Sequence, residues 1–199
     1  MLPTIEMQAD AVVMIDQRKL PAQEVYVHCK TANEVARAIK TMVIRGAPAI
    51  GVAAAMGIAL GMRRCTAPGT KQFAVEFNKV CELMAGTRPT AVNLFWAIDR
   101  MKEAFADAAQ GGGSVADIAR RLEQTAARIH DDDVQSCRTM GVHGASLVPA
   151  EATNFLLPSF WASASPGNQL SGPIVGFIGN LSFVETADAP AGRSKAPYT

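Results

Sequence analysis

Two short apolar runs near the start of the chain are separated by polar residues, a pattern typical of β-strands. Residues 11–15 (AVVMI) form the first run, which ends at Asp16, and residues 25–27 (VYV) form the second. A break at Leu20-Pro21 lies between them. The pattern predicts a small antiparallel sheet in the N-terminal part of the chain.

From Thr31 onward, apolar residues recur every three or four positions, which is the spacing of one face of a helix. Thr31 and Glu34 match a capping box, in which the hydroxyl and the carboxylate accept hydrogen bonds from free amides at a helix start. Breaks at glycine and proline then predict four more helices, over residues 48–64, 71–85, 89–110 and from Ser114 onward. The positions predicted to be buried are Val35, Ala38, Ile39 and Met42 in the first helix, Phe73, Phe77, Val80 and Met84 in the third, and Val115, Ile118, Leu122, Ala126 and Ile129 in the fifth.

Residues 47–62 form the longest run without a polar or charged side chain. The run has 16 residues, which is too short for a membrane span, and it is rich in Gly and Ala, so it predicts a buried helix of a soluble protein. Over 199 residues, 49% hydrophobic and 19% charged residues predict one folded domain, or one domain and part of a second. A net charge of +1 and 6% aromatic residues remove the usual arguments for nucleic-acid or membrane binding, and neither partner is predicted.

The cysteines are far apart and form no CxxC pair, which excludes a zinc ribbon or a thioredoxin-like site. They are interpreted as small buried hydrophobic residues: Cys29, Cys65, Cys81 and Cys137. No metal is predicted either, because ligand spacing is lacking among the three histidines, His28, His130 and His143. The first ten residues show no basic segment followed by an apolar stretch, so a cytoplasmic protein is predicted, with the nucleus as an alternative in a eukaryote.

The segment RGAPAIG, residues 45–51, places Arg45 directly before a helix whose first turn is built from small residues. Such a helix start presents unpaired N–H groups and the positive end of the helix dipole, and small side chains let an anion come close. The planar guanidinium of Arg45 adds donors suited to phosphate. The alternative interpretation is that the glycines serve tight helix packing and that Arg45 is an ordinary surface or ion-pair residue.

A second segment, TRPTAVNL at residues 87–94, repeats this arrangement, with Arg88 before a proline that favours a helix start. Two arginine-bearing helix starts in one domain predict a cradle for a phosphorylated ligand. Arg45 and Arg88 are then expected to lie close together, with the backbone of Gly46 and Ala47 facing the same space. Asn93 is interpreted as a structural residue. These residues identify no nucleophile and no general base.

The composition of the chain changes after Pro149. Among residues 151–199 only five are charged and five are proline, and the apolar residues follow no helical or strand period. One segment, residues 172–179 (GPIVGFIG), has the composition of a strand. The change predicts two parts, a folded domain over residues 1–149 and a tail over residues 150–199 that was not selected to fold with it.

Four segments of the chain occur in the same order in a known family of enzymes: VVMIDQRKLP, RGAPAIG, TRPTAVNLFWA and SCRTMGVHGASLVP. In these segments the chain resembles the S-methyl-5-thioribose-1-phosphate isomerases of methionine salvage, a route of methionine and amino-acid biosynthesis. The resemblance covers residues 10–149. The wider family also includes ribose-1,5-bisphosphate isomerases and the regulatory subunits of translation initiation factor 2B.

The resemblance implies an α+β fold, in which a small antiparallel sheet and a helical bundle precede a Rossmann-like second domain that is truncated or missing here. It also implies a homodimeric enzyme that converts the aldose 5-methylthioribose 1-phosphate into the ketose 5-methylthioribulose 1-phosphate without a cofactor. By motif match, the residues that contact this small phosphorylated sugar are Arg45, Gly46, Ala47 and Arg88.

The tail departs from the family pattern. Soon after GASLVP the family has a Thr-His-Cys-Asn-Ala-Gly-like segment with a catalytic Cys, and later a catalytic Asp and an Asn-Lys pair, but residues 150–199 contain none of these motifs. The departure predicts a truncated, inactive chain without a catalytic residue of its own, as a frameshift, a retained intron or alternative splicing would produce, and leaves open whether it dimerises. Three alternatives remain: a non-catalytic regulatory protein of the initiation factor 2B subunit type on the same N-terminal domain, a ribose-1,5-bisphosphate isomerase, or an isomerase that uses other residues, such as Asp131, Cys137 and His143.

Overall fold

The computed structural model describes residues 4–145 and two strands further along the chain, residues 174–178 and 181–185. Three short strands come first: β1 (Ile5–Met7), β2 (Val12–Ile15) and β3 (Tyr26–Cys29). Five helices follow: α1 (Ala32–Lys40), α2 (Ala47–Arg63), α3 (Thr70–Ala85), α4 (Val92–Gln110) and α5 (Val115–Ala145). A small antiparallel sheet followed by helices confirms the predicted α+β class.

Strand β2 lies in the middle of the sheet and pairs antiparallel with both neighbours. Met14 is opposite Ile5 of β1 on one side and opposite Val27 of β3 on the other. All four β2 residues are buried, which explains why the run over residues 11–15 is continuously apolar rather than alternating. The sequence pattern does not predict β1, because three residues are too few to display a strand period.

Helix α2 packs against α1, α3 and α4, and its positions from Ile50 to Met62 are almost all buried. Small side chains make this packing possible. Ala53, Ala54 and Ala55 have no solvent-exposed surface and let the neighbouring helices come close on several sides. The prediction of a buried helix is confirmed, and no helix among the described residues is long and apolar enough to cross a bilayer.

The predicted apolar faces of α3 and α5 are buried or packed against the core. Phe73 and Phe77 of α3 stack on Phe105 of α4, with ring centroids 6.2 and 4.4 Å apart. In α1 the prediction of a buried Met42 is wrong, since this residue is 43% exposed. Helix α1 ends at Lys40 and Met42 has a φ of 62°, so the helical period no longer applies at that position.

Helix α4 begins at Val92, three residues after the predicted start at Pro89. Residues 88–91 instead form a turn that is closed by a hydrogen bond of 3.0 Å from the Ala91 amide to the Arg88 carbonyl. Proline is favoured at the second position of such a turn and at the first position of a helix, because both need a φ of about −65°. The sequence pattern does not separate the two cases, and Arg88 lies in the turn before the helix.

The chain divides into two units, Met1–Asp133 and Val134–Thr199. In the second unit, β4 (Ile174–Ile178) and β5 (Leu181–Glu185) form an antiparallel hairpin. Strand β4 lies within residues 172–179, where the sequence predicts a strand. The remainder of the predicted tail lies outside the described residues, so the boundary at residue 149 stays a prediction.

Candidate functional site

The first turn of α2 is open to solvent and has no acidic side chain. Gly46 precedes the helix with a φ of 99°, a left-handed conformation that favours glycine because it has no Cβ. Within the described residues, the amides of Gly46, Ala47 and Ala49 have no acceptor. The next amide, that of Ile50, bonds the Gly46 carbonyl at 3.0 Å. The amides before it are donors available to an anion.

The start of α4 lies directly against the start of α2. A Cβ added to Gly51 would come within 2.8 Å of the Asn93 carbonyl oxygen and 3.5 Å of the Ala97 Cβ. Only glycine at position 51 permits this approach, because a side chain there would overlap the backbone of α4. The contact sets the two predicted helix starts side by side. Asn93 takes part through its backbone, which agrees with its interpretation as a structural residue.

Arg88 lies in the turn before α4 and is half-buried. No hydrogen bond or ion pair joins its guanidinium to another residue in the part of the chain that the structure describes. The preceding residue, Thr87, is buried, and its hydroxyl donates to the Met84 carbonyl at 2.6 Å. This bond ties the turn to the end of α3, while Arg88 keeps all five N–H donors for a ligand or for solvent.

Arg45 is held at two points by one residue, Gln17, which lies just after β2. The Nη2 of Arg45 donates to the Gln17 carbonyl at 3.0 Å, and the Gln17 Nε2 donates to the Arg45 carbonyl at 3.3 Å. The Nε of Arg45 is buried without a partner among the described residues. A buried donor without an acceptor costs about 1–3 kcal/mol. Stability does not explain such a placement, and exceptions of this kind concentrate at functional sites.

Asp16 and Arg18 support the segment that contains Gln17. The Arg18 guanidinium donates to both oxygens of the Asp16 carboxylate, with Nε–Oδ1 2.8 Å and Nη2–Oδ2 2.7 Å. The side-chain hydrogen bond with Arg18 is the main cause that lowers the pKa of Asp16 below its usual value. Asp16 is buried, and its amide bonds the Val25 carbonyl at 2.8 Å. A carboxylate engaged in this way serves as structural support.

Gln17 is not among the site residues predicted from the sequence. This residue is 4% exposed and lies in the segment VVMIDQRKLP. Nothing in the sequence distinguishes it, because Gln17 is one of several adjacent polar residues that follow the apolar run over residues 11–15. Asp16 and Arg18 on either side are polar as well, and only the fold shows which of the three reaches Arg45.

The structure places each of the predicted substrate contacts at a helix start. Arg45, Gly46 and Ala47 are contiguous at the start of α2, and Arg88 precedes the start of α4. The contact of Gly51 with Asn93 brings the first turns of α2 and α4 together. That Arg45 and Arg88 lie close together and that all four residues contact one ligand stay predictions.

Burial makes two of the cysteines poor nucleophiles. Desolvation raises the pKa of Cys29 to about 11 and the pKa of Cys81 to about 12. Both belong to the hydrophobic core, as predicted.

On α5, the Nδ1 of His130 lies 3.2 Å from the Oδ1 of the exposed Asp131, and burial raises the pKa of Asp133. The described residues hold no group of three His, Cys, Asp or Glu side chains placed to bind a metal ion.

The site is suited to binding an anion rather than to moving a proton. Two guanidinium groups and the free amides of a helix start supply donors and positive potential for a phosphate dianion. A proton transfer needs a positioned acid or base. The first turns of α2 and α4 contain no acidic side chain, and neither Arg45 nor Arg88 pairs with a carboxylate among the residues that the structure describes.

Comparison with known proteins shows the family to which the chain belongs. Residues 43–157 match the sequence profile described as the Initiation factor 2 subunit family. The chain is 51% identical over 150 residues to the methylthioribose-1-phosphate isomerase of Geobacter metallireducens, which covers 75% of this chain and 43% of that protein. The isomerase of the same name from Nostoc punctiforme is 45% identical over 147 residues, covering 74% and 41%. The chain thus spans less than half the length of the curated relatives it matches.

Solved structures are also similar to the chain, and two of them illustrate the range of the family. The crystal structure of 5-methylthioribose 1-phosphate isomerase from Pyrococcus horikoshii has a TM-score of 0.72 at 41% identity, covering 75% of this chain and 42% of that one. Subunit delta of the translation initiation factor eIF-2B from A. fulgidus has a TM-score of 0.69 at 35% identity, covering 76% and 43%. These relatives confirm the resemblance predicted from the four segments. Because the family profile matches more than half of its residues, the chain belongs to the initiation factor 2 subunit family.

Proposed function

We propose that this chain carries the substrate-binding half of a methylthioribose-1-phosphate isomerase of methionine salvage. In this proposal the phosphate of 5-methylthioribose 1-phosphate is bound where the starts of α2 and α4 meet. Its ligands are the guanidinium groups of Arg45 and Arg88 and the backbone of Gly46 and Ala47. The observation that carries the proposal is the close approach of Gly51 to α4, which sets the two arginine-bearing segments side by side.

Three further observations support the proposal. The amides at the start of α2 lack an acceptor within the described residues, so they are free to bind an anion. Arg45 is kept in place although its Nε is buried without a partner there. Relatives that are 45% and 51% identical to the chain are named methylthioribose-1-phosphate isomerases.

We further propose that the chain does not isomerise the sugar by itself. Binding that is equally strong in the ground state and the transition state does not accelerate a reaction. The proton transfer between two carbons of the sugar needs a positioned acid or base, each typically worth about 10²–10⁴-fold. The Cys- and Asp-containing motifs of the family do not occur in residues 150–199. The high pKa values of Cys29 and Cys81 argue against these thiols as substitutes.

Calorimetric titration with methylthioribose 1-phosphate tests the binding proposal. Arg45→Ala is expected to weaken the affinity by about 10- to 100-fold, because a hydrogen bond to a charged group is lost. Arg64→Ala is the matched control, since Arg64 is an exposed arginine at the other end of α2. If the Arg45 variant and the unmodified chain bind the sugar phosphate with equal affinity, the proposed phosphate site at the start of α2 is contradicted.

An isomerase assay tests the proposal of inactivity. The chain is compared, at equal concentration, with a chimaera in which residues 1–149 are joined to the remaining part of the Geobacter metallireducens isomerase. Turnover is expected in the chimaera alone. Comparable turnover by both proteins would contradict the proposal and would direct attention to Asp131, Cys137 and His143.

A second candidate function is that of a non-catalytic regulatory protein, which the similarity to subunit delta of eIF-2B favours. Such a protein does not need to bind a sugar phosphate. A folded chain that binds neither methylthioribose 1-phosphate nor ribose 1,5-bisphosphate in the same titration would support this function over the first.

A further inference from the structure

Gln17 connects the sheet to the segment that leads into α2. In addition to the two hydrogen bonds between Gln17 and Arg45, the backbone amide of Gln17 donates to the Val43 carbonyl at 2.9 Å. Three hydrogen bonds therefore join Gln17 to residues 43–45. Arg45 lies 28 positions after Gln17 in the sequence. Gln17 therefore contacts the site from the end of β2, although neither β2 nor the residues directly after it belong to the predicted substrate contacts.

The two bonds with Arg45 restrain different parts of that residue. The Gln17 carbonyl accepts from the guanidinium and so fixes the position of the positive charge. The Gln17 side chain donates to the Arg45 carbonyl and so fixes the peptide that leads to Gly46, where the backbone adopts its left-handed conformation. Donors that are ordered before a ligand arrives bind it more tightly, because their ordering does not oppose binding.

The chemistry of the side chain explains why position 17 holds a glutamine. A carbonyl oxygen accepts hydrogen bonds and cannot donate one, so its partner must carry an N–H or O–H group. Gln17 is almost fully buried, and burial of an amide is unfavourable unless the amide is hydrogen-bonded. An apolar side chain would fill the same space without that penalty but would leave the Arg45 carbonyl unrestrained.

We propose that Gln17 is a positioning residue that orders Arg45 for phosphate binding. The proposal rests on the proposed function, in which Arg45 binds the phosphate of the sugar. It assigns to the DQR part of the segment VVMIDQRKLP a role in ligand affinity that is exerted through Arg45 alone, without contact between Gln17 and the ligand.

A double-mutant cycle on the full chain tests this role, with methylthioribose 1-phosphate and inorganic phosphate as probes. Gln17→Met keeps the length and burial of the side chain and removes its donor. It is expected to weaken affinity by about fivefold, the equivalent of one neutral hydrogen bond. In an Arg45→Ala background the main-chain carbonyl that the Gln17 side chain restrains is still present, but the guanidinium is gone. The same substitution should then weaken affinity by only about twofold, because the peptide before Gly46 is all that remains to be ordered. Gln8→Met is the matched control, because Gln8 is exposed.

The outcomes separate this proposal from the function on which it rests. If Arg45→Ala weakens binding and Gln17→Met lowers only the free energy of unfolding, Gln17 is merely structural and the present proposal is overturned while the proposed function stands. Equal losses of affinity in both backgrounds would also overturn it, because Gln17 would then act independently of the Arg45 guanidinium. If Arg45→Ala does not weaken binding, both proposals fail. Should Gln17→Met not fold, Gln17→Asn takes its place, because its amide is one methylene too short to reach the Arg45 carbonyl, and the same expectations apply.

Discussion

Helices α1 and α5 start with acids of their own, whereas α2 and α4 start without one. In α1 the Thr31 hydroxyl accepts from the Glu34 amide at 3.2 Å, and the Glu34 carboxylate accepts from the Lys30 amide at 2.5 Å. In α5, Ser114 and Asp117 exchange equivalent bonds, each 3.2 Å long. The starts of α2 and α4 have no side-chain cap and no acidic residue in the first turn.

The difference separates helix starts that serve stability from helix starts that are available to a ligand. A capped start satisfies its free amides within the chain and neutralises the positive end of its dipole. An uncapped start leaves both to the surroundings. Three of the described helices, α2, α3 and α4, start without a side-chain cap or an acid, and only α2 and α4 also follow an arginine and lie against each other at their starts. Ligand affinity and stability are therefore expected to respond to substitutions at different helix starts.

The largest expected effect is on ligand affinity at the start of α4. Arg88→Ala should weaken the binding of methylthioribose 1-phosphate by about 10- to 100-fold, because a charged donor is lost. Arg100→Ala removes the same charge from the exposed surface of α4, where the guanidinium lies 5.9 Å from the centre of the Trp96 ring. Equal losses in the two variants would mean that overall charge, and not the position before the helix, determines affinity.

The next effect concerns the contact between the starts of α2 and α4. Gly51→Ala should lower the free energy of unfolding by about 1–3 kcal/mol, because the added methyl group overlaps the Asn93 carbonyl and forces α2 and α4 apart. Urea denaturation measures this loss, and ligand affinity should fall with it. Gly69→Ala is the control, since no atom lies within 4 Å of the Cβ it would gain. An unchanged affinity for the Gly51 variant would show that the ligand does not depend on both helix starts.

A capped start should show the opposite behaviour. Thr31→Ala is expected to lower the free energy of unfolding by about 1 kcal/mol, the usual effect of losing an N-cap side chain. Ligand affinity, measured by the same titration, should stay as it is, and Ser114→Ala on α5 should behave in the same way. A clear loss of affinity in either variant would remove the distinction between the two classes of helix start.

The smallest effect should come from supplying α2 with the acid that it lacks. Ala47→Glu is expected to raise the free energy of unfolding by about 0.3–1 kcal/mol through the helix dipole. It should also weaken phosphate binding, because a carboxylate at the exposed first turn repels the dianion and competes for the free amides. Ala47→Gln has a similar shape without the charge and serves as the control. Tighter binding by the glutamate variant would contradict an anion site at this turn.

Local chemistry explains which parts of this fold and site could be predicted from the sequence. The caps at Thr31 and Ser114 are visible because both partners lie within three residues of each other. The start of α4 was misplaced because Pro89 fits a turn as well as a helix, which local sequence does not distinguish. Gln17 was missed because its partner is 28 positions away, so its role exists only once the sheet has brought it to Arg45.

The burial of α2 has a consequence for how this chain tolerates change. Of its twelve buried positions, six hold alanine or glycine, where nearly every replacement adds volume and overpacking costs about 1–3 kcal/mol each time. The other six hold larger apolar residues, whose truncation leaves a cavity. On α4, by contrast, Val92 and Trp96 are exposed and free to vary in size. A saturation library of both helices should therefore recover few alleles over residues 50–62 and many at positions 92 and 96. The helix that opens the candidate site is thus expected to permit fewer sequences than the helix that lies against it.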